Sequence, residues 1–183
     1  MCRTFSSLRV LYIRSPISQT WKFGKEVGKL VHLKYLELAT NPDHLSIFNL
    51  RRLQTLIVHG NFGYFIHLPS KISRLQELRH LIGSFEFGFG WSISNLTKVQ
   101  TLRYVSFKIW AQIKTKKLIN LRELWVQDAS NEEVVFCFDS MANLKSLRIL
   151  VVQLLGYNNK YLSSLQPLSN VDISNSFKIF YYN

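Results

Sequence analysis

One spacing governs what this chain can fold into. Apolar residues recur at intervals of three, three, three and two, and the pattern repeats eight times along the chain. Its clearest copy is Val27, Leu30, Leu33, Leu36 and Leu38. A step of three suits a tight 3₁₀-like coil, and a step of two suits a strand. Each copy is therefore predicted to run inward along a turn and to end in one short strand. A single unit cannot bury such a row by itself, so the units must stack.

The remaining copies begin at Cys2, Ile47, Ile72, Ile93, Thr115, Met141 and Leu162. Every slot of every copy is apolar or aromatic except Gly83 and Thr115. The third slot falls at Leu8, Leu33, Leu53, Leu78, Val99, Leu121, Leu147 and Leu168, so the copies step by 20 to 26 residues. That period lies inside the range of about 20–29 residues that marks leucine-rich repeats. The expected fold is an α/β repeat solenoid, a leucine-rich repeat horseshoe with a parallel concave sheet of about eight short strands. The strands are predicted at Val10–Ile13, Tyr35–Leu38, Thr55–Val58, His80–Gly83, Thr101–Tyr104, Glu123–Val126, Ile149–Val152 and Asn170–Ile173. Residues 1–176 are read as the solenoid and 177–183 as a C-terminal tail. The first copy starts at Cys2, and aromatic residues such as Phe177 and Phe180 follow the last. Neither end reads as a polar cap, so the array is expected to be a fragment of a longer one.

Two positions interrupt the ladder. Gly83 stands where a branched residue is expected and precedes a Gly- and Phe-rich stretch, so a bulge is expected in the loop there. Thr115 lies in the run Lys114-Thr115-Lys116-Lys117, which reads as a solvated turn. Asn41 and Asn61 follow their strands by three residues and suit backbone bonding in a bend. Aromatic residues between the strands, among them Phe48, Phe85, Phe107 and Trp110, are expected to complete the core.

Composition narrows the function classes. The net charge is +12, with the cations spread over all repeats. No zinc-finger spacing, recognition helix or aromatic RNA-binding signature accompanies them, so no nucleic-acid partner is predicted. Two cysteines, Cys2 and Cys137, are too few for a disulfide framework and fit a reducing compartment, hence the cytoplasm. No apolar run is long enough to span a membrane. The segment Gly24-Lys25-Glu26-Val27-Gly28-Lys29-Leu30 resembles a phosphate loop only superficially. It is one residue short between the glycines and lacks the Ser or Thr that would hold magnesium. The five histidines lack metal-ligand spacing, and Glu132-Glu133 sits adjacent in a turn rather than as an opposed acid and base. No enzymatic activity, cofactor or metal is expected.

The informative surface is the face opposite the ladder. Because strand residues alternate, the position between the last two slots points outward. That column reads Tyr12, Glu37, Ile57, Ile82, Arg103, Trp125, Val151 and Asp172. The column two residues earlier runs from Val10 and Tyr35 through His80, Thr101 and Glu123; the one two residues later includes Arg14, His59, Ser84, Val105 and Gln127. Ile57 and Ile82, with exposed Trp125 and Val151, are expected to form an apolar stripe flanked by charge. Such stripes with aromatic anchors mark partner sites. The candidate protein-binding residues are Tyr12, Tyr35, Ile57, Ile82, Arg103 and Trp125. One residue before each strand runs a further column: Arg9, Lys34, Gln54, Arg79, Gln100, Arg122, Arg148 and Ser169. It reads as a basic edge, solvated or facing an acidic surface.

The wording of the repeats adds a resemblance. The segments Leu30-Val31-His32-Leu33-Lys34-Tyr35-Leu36-Glu37-Leu38, Leu50-Arg51-Arg52-Leu53-Gln54-Thr55-Leu56-Ile57-Val58 and Leu68-Pro69-Ser70-Lys71-Ile72-Ser73-Arg74-Leu75 resemble the leucine-rich repeats of plant intracellular immune receptors. These are the nucleotide-binding disease resistance proteins of the coiled-coil class, including nightshade late-blight resistance proteins. The resemblance covers about residues 5–173. It implies a module that recognises a pathogen effector or a host target, and that restrains an adjoining nucleotide-binding domain. This chain carries no phosphate loop of its own, so it would supply recognition without the switch. The alternative is a free-standing leucine-rich repeat adaptor.

Overall fold

The computed structural model describes residues 5, 7–14, 24–39, 46–59, 66–68, 70–87, 93–128, 141, 143–155 and 177–182. The spacing of three translates directly into hydrogen bonds. The N–H of Leu50 donates to the carbonyl of Ile47, and that of Leu53 donates to Leu50. The same relay links Ile72, Leu75 and Leu78, then Ile93, Leu96 and Val99, and so on to Met141, Leu144 and Leu147. Each bond closes over three residues, so each ladder residue points to the same side as the one before. The coil then straightens into a strand.

Nine strands form one open, all-parallel sheet among the described residues. They are β1 (Val10–Arg14), β2 (Tyr35–Ala39), β3 (Thr55–Val58), β4 (Ile66–Leu68), β5 (His80–Phe87), β6 (Thr101–Ser106), β7 (Glu123–Asp128), β8 (Ile149–Leu155) and β9 (Phe177–Tyr182). Their order follows the chain, except that β4 pairs with the far half of β5. A second device holds neighbouring coils together. The carbonyl of Arg9 accepts from the N–H groups of both Lys34 and Tyr35, and Lys34, Gln54, Arg79, Gln100 and Arg122 repeat this for the next coil. Every coil thus enters the sheet locked to the one before.

The leucine column is continuous. Leu11, Leu36, Leu56, Leu81, Leu102, Leu124 and Leu150 lie side by side in register. From Leu36 to Leu124 they are fully buried. Phe48, Phe85, Phe107 and Trp110 join the same core as expected. Trp110 and Phe107 reach it from a helical turn, Phe107–Trp110, capped by the Ser106 hydroxyl, which accepts from the N–H of Ile109 at 3.3 Å. The false phosphate loop is a helical turn at Gly24–Val27 whose Val27 and Leu30 are core residues. Gly28 is there because Ser46 of the next coil fills the space a Cβ would need.

Several expectations need correction. Thr115 is buried in its ladder slot; only its lysine neighbours are solvated, since the 3₁₀ turn aims Thr115 inward and the lysines outward. Phe5, read as a ladder residue, is 55% exposed. Tyr104 and Gly83 do not serve as the last interior slot. The sheet register slips between Ile82 and Phe85 and again between Leu102 and Val105. Phe85 and Val105 become the interior residues, so Val105 does not belong to the outward column. The irregularity falls inside β5, which runs on to Phe87, and not in a loop after it. Finally, the strand beside β8 is Phe177–Tyr182, with Phe177 opposite Leu150. Asn170–Ile173 lies outside the described residues, as do Asp172, Asn41, Asn61, Cys2, Cys137 and Glu132-Glu133.

Candidate functional site

The site is the open face of the sheet, opposite the leucine column. Pairing fixes its rows. One row reads Val10, Tyr35, Thr55, His80, Thr101, Glu123 and Ile149. The next reads Tyr12, Glu37, Ile57, Ile82 and Arg103, then Trp125 and Val151 across the slip. The six candidate residues occupy these two rows. Tyr12 is 57% exposed, whereas Tyr35, Ile57, Ile82, Arg103 and Trp125 are half-buried. Val151 does not join them as an exposed residue. It is buried, flanked by Trp125 and by β9.

Two carboxylates, not chosen from the sequence, organise this face. At one end Glu37 accepts from the Tyr35 hydroxyl at 2.7 Å and lies 3.0 Å from His59 Nε2 and 3.9 Å from Arg14. The ring of Tyr35 leans on that of Tyr12, centroids 5.0 Å apart. The Tyr35 hydrogen bond holds the Glu37 carboxyl below its ordinary range, against the opposing effect of burial. Burial, followed by the same bond to Glu37, pushes the Tyr35 phenol up, so it stays a donor.

At the other end Glu123 gathers three side chains, with a fourth one bond behind. Arg103 donates to its Oε1 through Nε at 2.9 Å and through Nη2 at 2.8 Å. Trp125 Nε1 donates to the same oxygen at 2.8 Å. The Thr101 hydroxyl reaches Oε2 at 3.5 Å, and His80 Nδ1 lies 3.1 Å from that hydroxyl. With the Thr101 proton directed at Glu123, His80 Nδ1 must carry a hydrogen and donate. Burial lowers the His80 pKa, helped by the charge of Arg79, so the ring stays neutral. The Arg103 guanidinium also lies over the Trp125 ring, 4.7 Å from its centroid. Tyr104 meets the same ring edge-on at 5.3 Å.

Tyr104 reaches this face because it is the extra residue of a β-bulge. Its φ is 66°, in the left-handed region. That conformation costs a non-glycine residue roughly 1–2 kcal/mol. Its carbonyl accepts from Gln127 Nε2 at 3.4 Å, and the same amide reaches Ser84 at 3.3 Å across β6. Glu37, Glu123, Thr101 and His80 were visible in the sequence as members of the outward columns. Their weight comes from pairing across strands, which a column does not reveal.

Between the two carboxylates lie Thr55, Ile57 and Ile82, half-buried and uncharged. The face thus alternates charged, apolar and charged-aromatic surface. Among the described residues no group of three His, Cys, Asp or Glu side chains converges as a metal site would need. Among them, too, no helix is long and apolar enough to cross a membrane. Its arrangement suits contact with a protein: rigid aromatic and arginine anchors around an apolar centre.

Comparison with known proteins agrees with this architecture. Residues 1–180 match the family described as leucine-rich repeat region. Disease resistance protein RPP13 of Arabidopsis thaliana is 37% identical over 154 residues, 80% of this chain and 18% of that protein. Putative disease resistance RPP13-like protein 2 of the same plant is 35% identical over 147 residues, 75% of this chain and 16% of its own length. Probable disease resistance protein RF9, also from Arabidopsis thaliana, is 27% identical over 158 residues, 81% of this chain and 15% of that protein. The chain therefore spans less than a fifth of the length of these relatives. With its repeat frame, its parallel sheet and these matches in hand, the chain belongs to the leucine-rich repeat regions of plant disease resistance proteins.

Proposed function

We propose that this chain is the recognition region of a cytoplasmic plant immune receptor. Its open face binds a pathogen effector, or a host protein that the effector modifies. In the resting receptor the same region restrains an adjoining nucleotide-binding switch and performs no catalysis itself. The observation that carries the reading is the row Tyr12, Glu37, Ile57, Ile82 and Arg103, with Trp125 beyond the register slip and Tyr35 beside it, tied internally through Glu37 and Glu123. Aromatic and arginine side chains held rigid by internal partners lose little freedom on binding, which favours affinity.

The test is the double substitution Ile82→Ala and Trp125→Ala in the full-length receptor. Recognition-dependent defence output in leaves should fall by about tenfold or more, as expected when interface anchors worth over 1 kcal/mol each are lost. Protein level and unfolding midpoint of the variant are measured alongside. Undiminished output from a folded, normally accumulating variant overturns the open-face assignment.

A further inference from the structure

The residues just before the strands form a second surface, distinct from the open face. Arg9, Lys34, Gln54, Arg79, Gln100, Arg122 and Arg148 are joined coil to coil by the shared carbonyl bonds. Their side chains line the rim where strands β1–β3 and β5–β8 begin. Arg9, Lys34, Arg79, Arg122 and Arg148 are exposed, and none forms an ion pair among the described residues. The row two residues earlier behaves differently. There Arg52 meets the His32 ring at 3.1 Å and Lys98 meets Glu77 at 2.6 Å, so these cations have side-chain partners on the adjacent coil. In the rim row Arg9 and Lys34 sit on adjacent coils with like charge, and so do Arg122 and Arg148. Like charges directly opposite in a sheet destabilise it. Among the described residues the uncharged members of the row are the glutamines, which donate hydrogen bonds to carboxylates without adding charge.

We infer that this rim is a docking row for an extended acidic segment of a protein partner. The backbone lock makes the cations a rigid ruler. Seven coils at about 4.8 Å per step span roughly 29 Å, the length of about nine residues of extended chain. A strand-like acidic segment laid along the rim would bring carboxylates to the paired cations at both ends, to Arg79 in the middle and to the glutamines on either side of it. A nucleic-acid strand fits less well. The row holds no aromatic side chain on which bases could stack.

The experiment titrates the full chain with a fluorescent decaglutamate peptide and, separately, with a labelled oligothymidylate of similar length. Arg79→Gln with Arg122→Gln places at both positions the residue that coils three and five already carry, so the fold tolerates it. Binding of decaglutamate should weaken about tenfold, the loss expected for two surface ion pairs. The control Lys71→Gln with Lys116→Gln removes the same net charge from exposed turn residues and should change affinity by less than about twofold. Equal loss in both double variants would mean that net charge alone attracts the peptide, and it overturns the rim. Tighter binding of oligothymidylate than of decaglutamate overturns the class of partner. Failure here leaves the Ile82 and Trp125 test untouched, because the two surfaces share no residue.

Discussion

Strands β1–β3 and strands β5–β7 solve the same packing problem in different ways. In the first group each interior slot is filled in turn: Leu36 and Leu38, then Leu56 and Val58, all essentially fully buried. Registers run straight across, and the face above is a simple readout of alternation. In the second group the last slot is filled by Gly83 and Tyr104, neither of which can serve. Glycine leaves a hole, and the tyrosine is too large and polar at its tip. The sheet answers by absorbing one extra residue at each step, which brings Phe85 and Val105 into the interior. The consequence reaches the open face. The bulge turns Tyr104 onto the open face against Trp125, while the regular half can present only what its columns contain. Irregular packing thus builds the more elaborate open face.

Phe85 is where this contrast is easiest to break. A Cβ built on Gly83 would strike the Phe85 ring, so that ring occupies the volume the missing ladder side chain vacates. Phe85→Ala should cost about 3–5 kcal/mol, the usual loss for a buried phenylalanine. Urea unfolding monitored by circular dichroism measures it. A cost under about 1 kcal/mol would place Phe85 in a tolerant surface segment and dissolve the distinction between the halves.

The same element shows what the sequence could and could not convey. The leucine column, its pairing order and the burial of the 3₁₀ coils were legible, because each follows from a residue count and a bond geometry. The bulges were not. A spacing records how many residues lie between two leucines, and it does not record where the sheet takes up a surplus one. Gly83 was recognisable as a gap; that Phe85, two residues on, would fill it was not. The strand that pairs with β8 was also not foreseen; the expected strand at Asn170–Ile173 lies outside the described residues. The ladder pointed to Val171 for the slot beside Leu150, whereas Phe177, six residues further on, pairs with Leu150. That choice gives a final step of 27 residues, still within the repeat range of about 20–29. At the site, all six candidate residues were nameable from alternation. The two glutamates that bond Tyr35, Arg103 and Trp125 were passed over, since alternation names which residues face outward and not which of them pair.

Gly83→Ala sharpens the comparison from the backbone side. The φ of Gly83 is 151°, and the new methyl would meet the Val58 carbonyl of the neighbouring strand as well as the Phe85 ring. A cost of about 2 kcal/mol is expected, combining backbone strain with overpacking. Tyr104→Gly makes the useful contrast, because there glycine relieves a left-handed φ while removing the ring on Trp125, and the two effects should nearly cancel. Parallel unfolding curves for both variants decide the matter. Equal losses would mean that the two bulge positions are not conformationally distinct.

Acid separates the two ends of the open face most finely. In the regular half Glu37 has a lowered pKa, chiefly through Tyr35. The unfolded chain therefore takes up its proton first as pH falls, and the stabilisation present above the ordinary value of 4.5 is lost below it. In the bulged half His80 has a lowered pKa, chiefly through burial. There too the unfolded chain binds the proton first, but the loss begins higher, as pH falls below 6.5, and levels off once the folded ring is protonated. His80→Gln should flatten stability just below pH 6.5 and leave the lower window intact. Tyr35→Phe should do the reverse, and at neutral pH it should cost about 1 kcal/mol for a part-exposed bond to a carboxylate. Urea midpoints across pH 3 to 8 provide the readout, with pH steps of about half a unit resolving windows centred on the groups' own titrations. If both variants flatten one shared window, the two ends titrate as a single network and the halves are electrostatically coupled across Ile57 and Ile82.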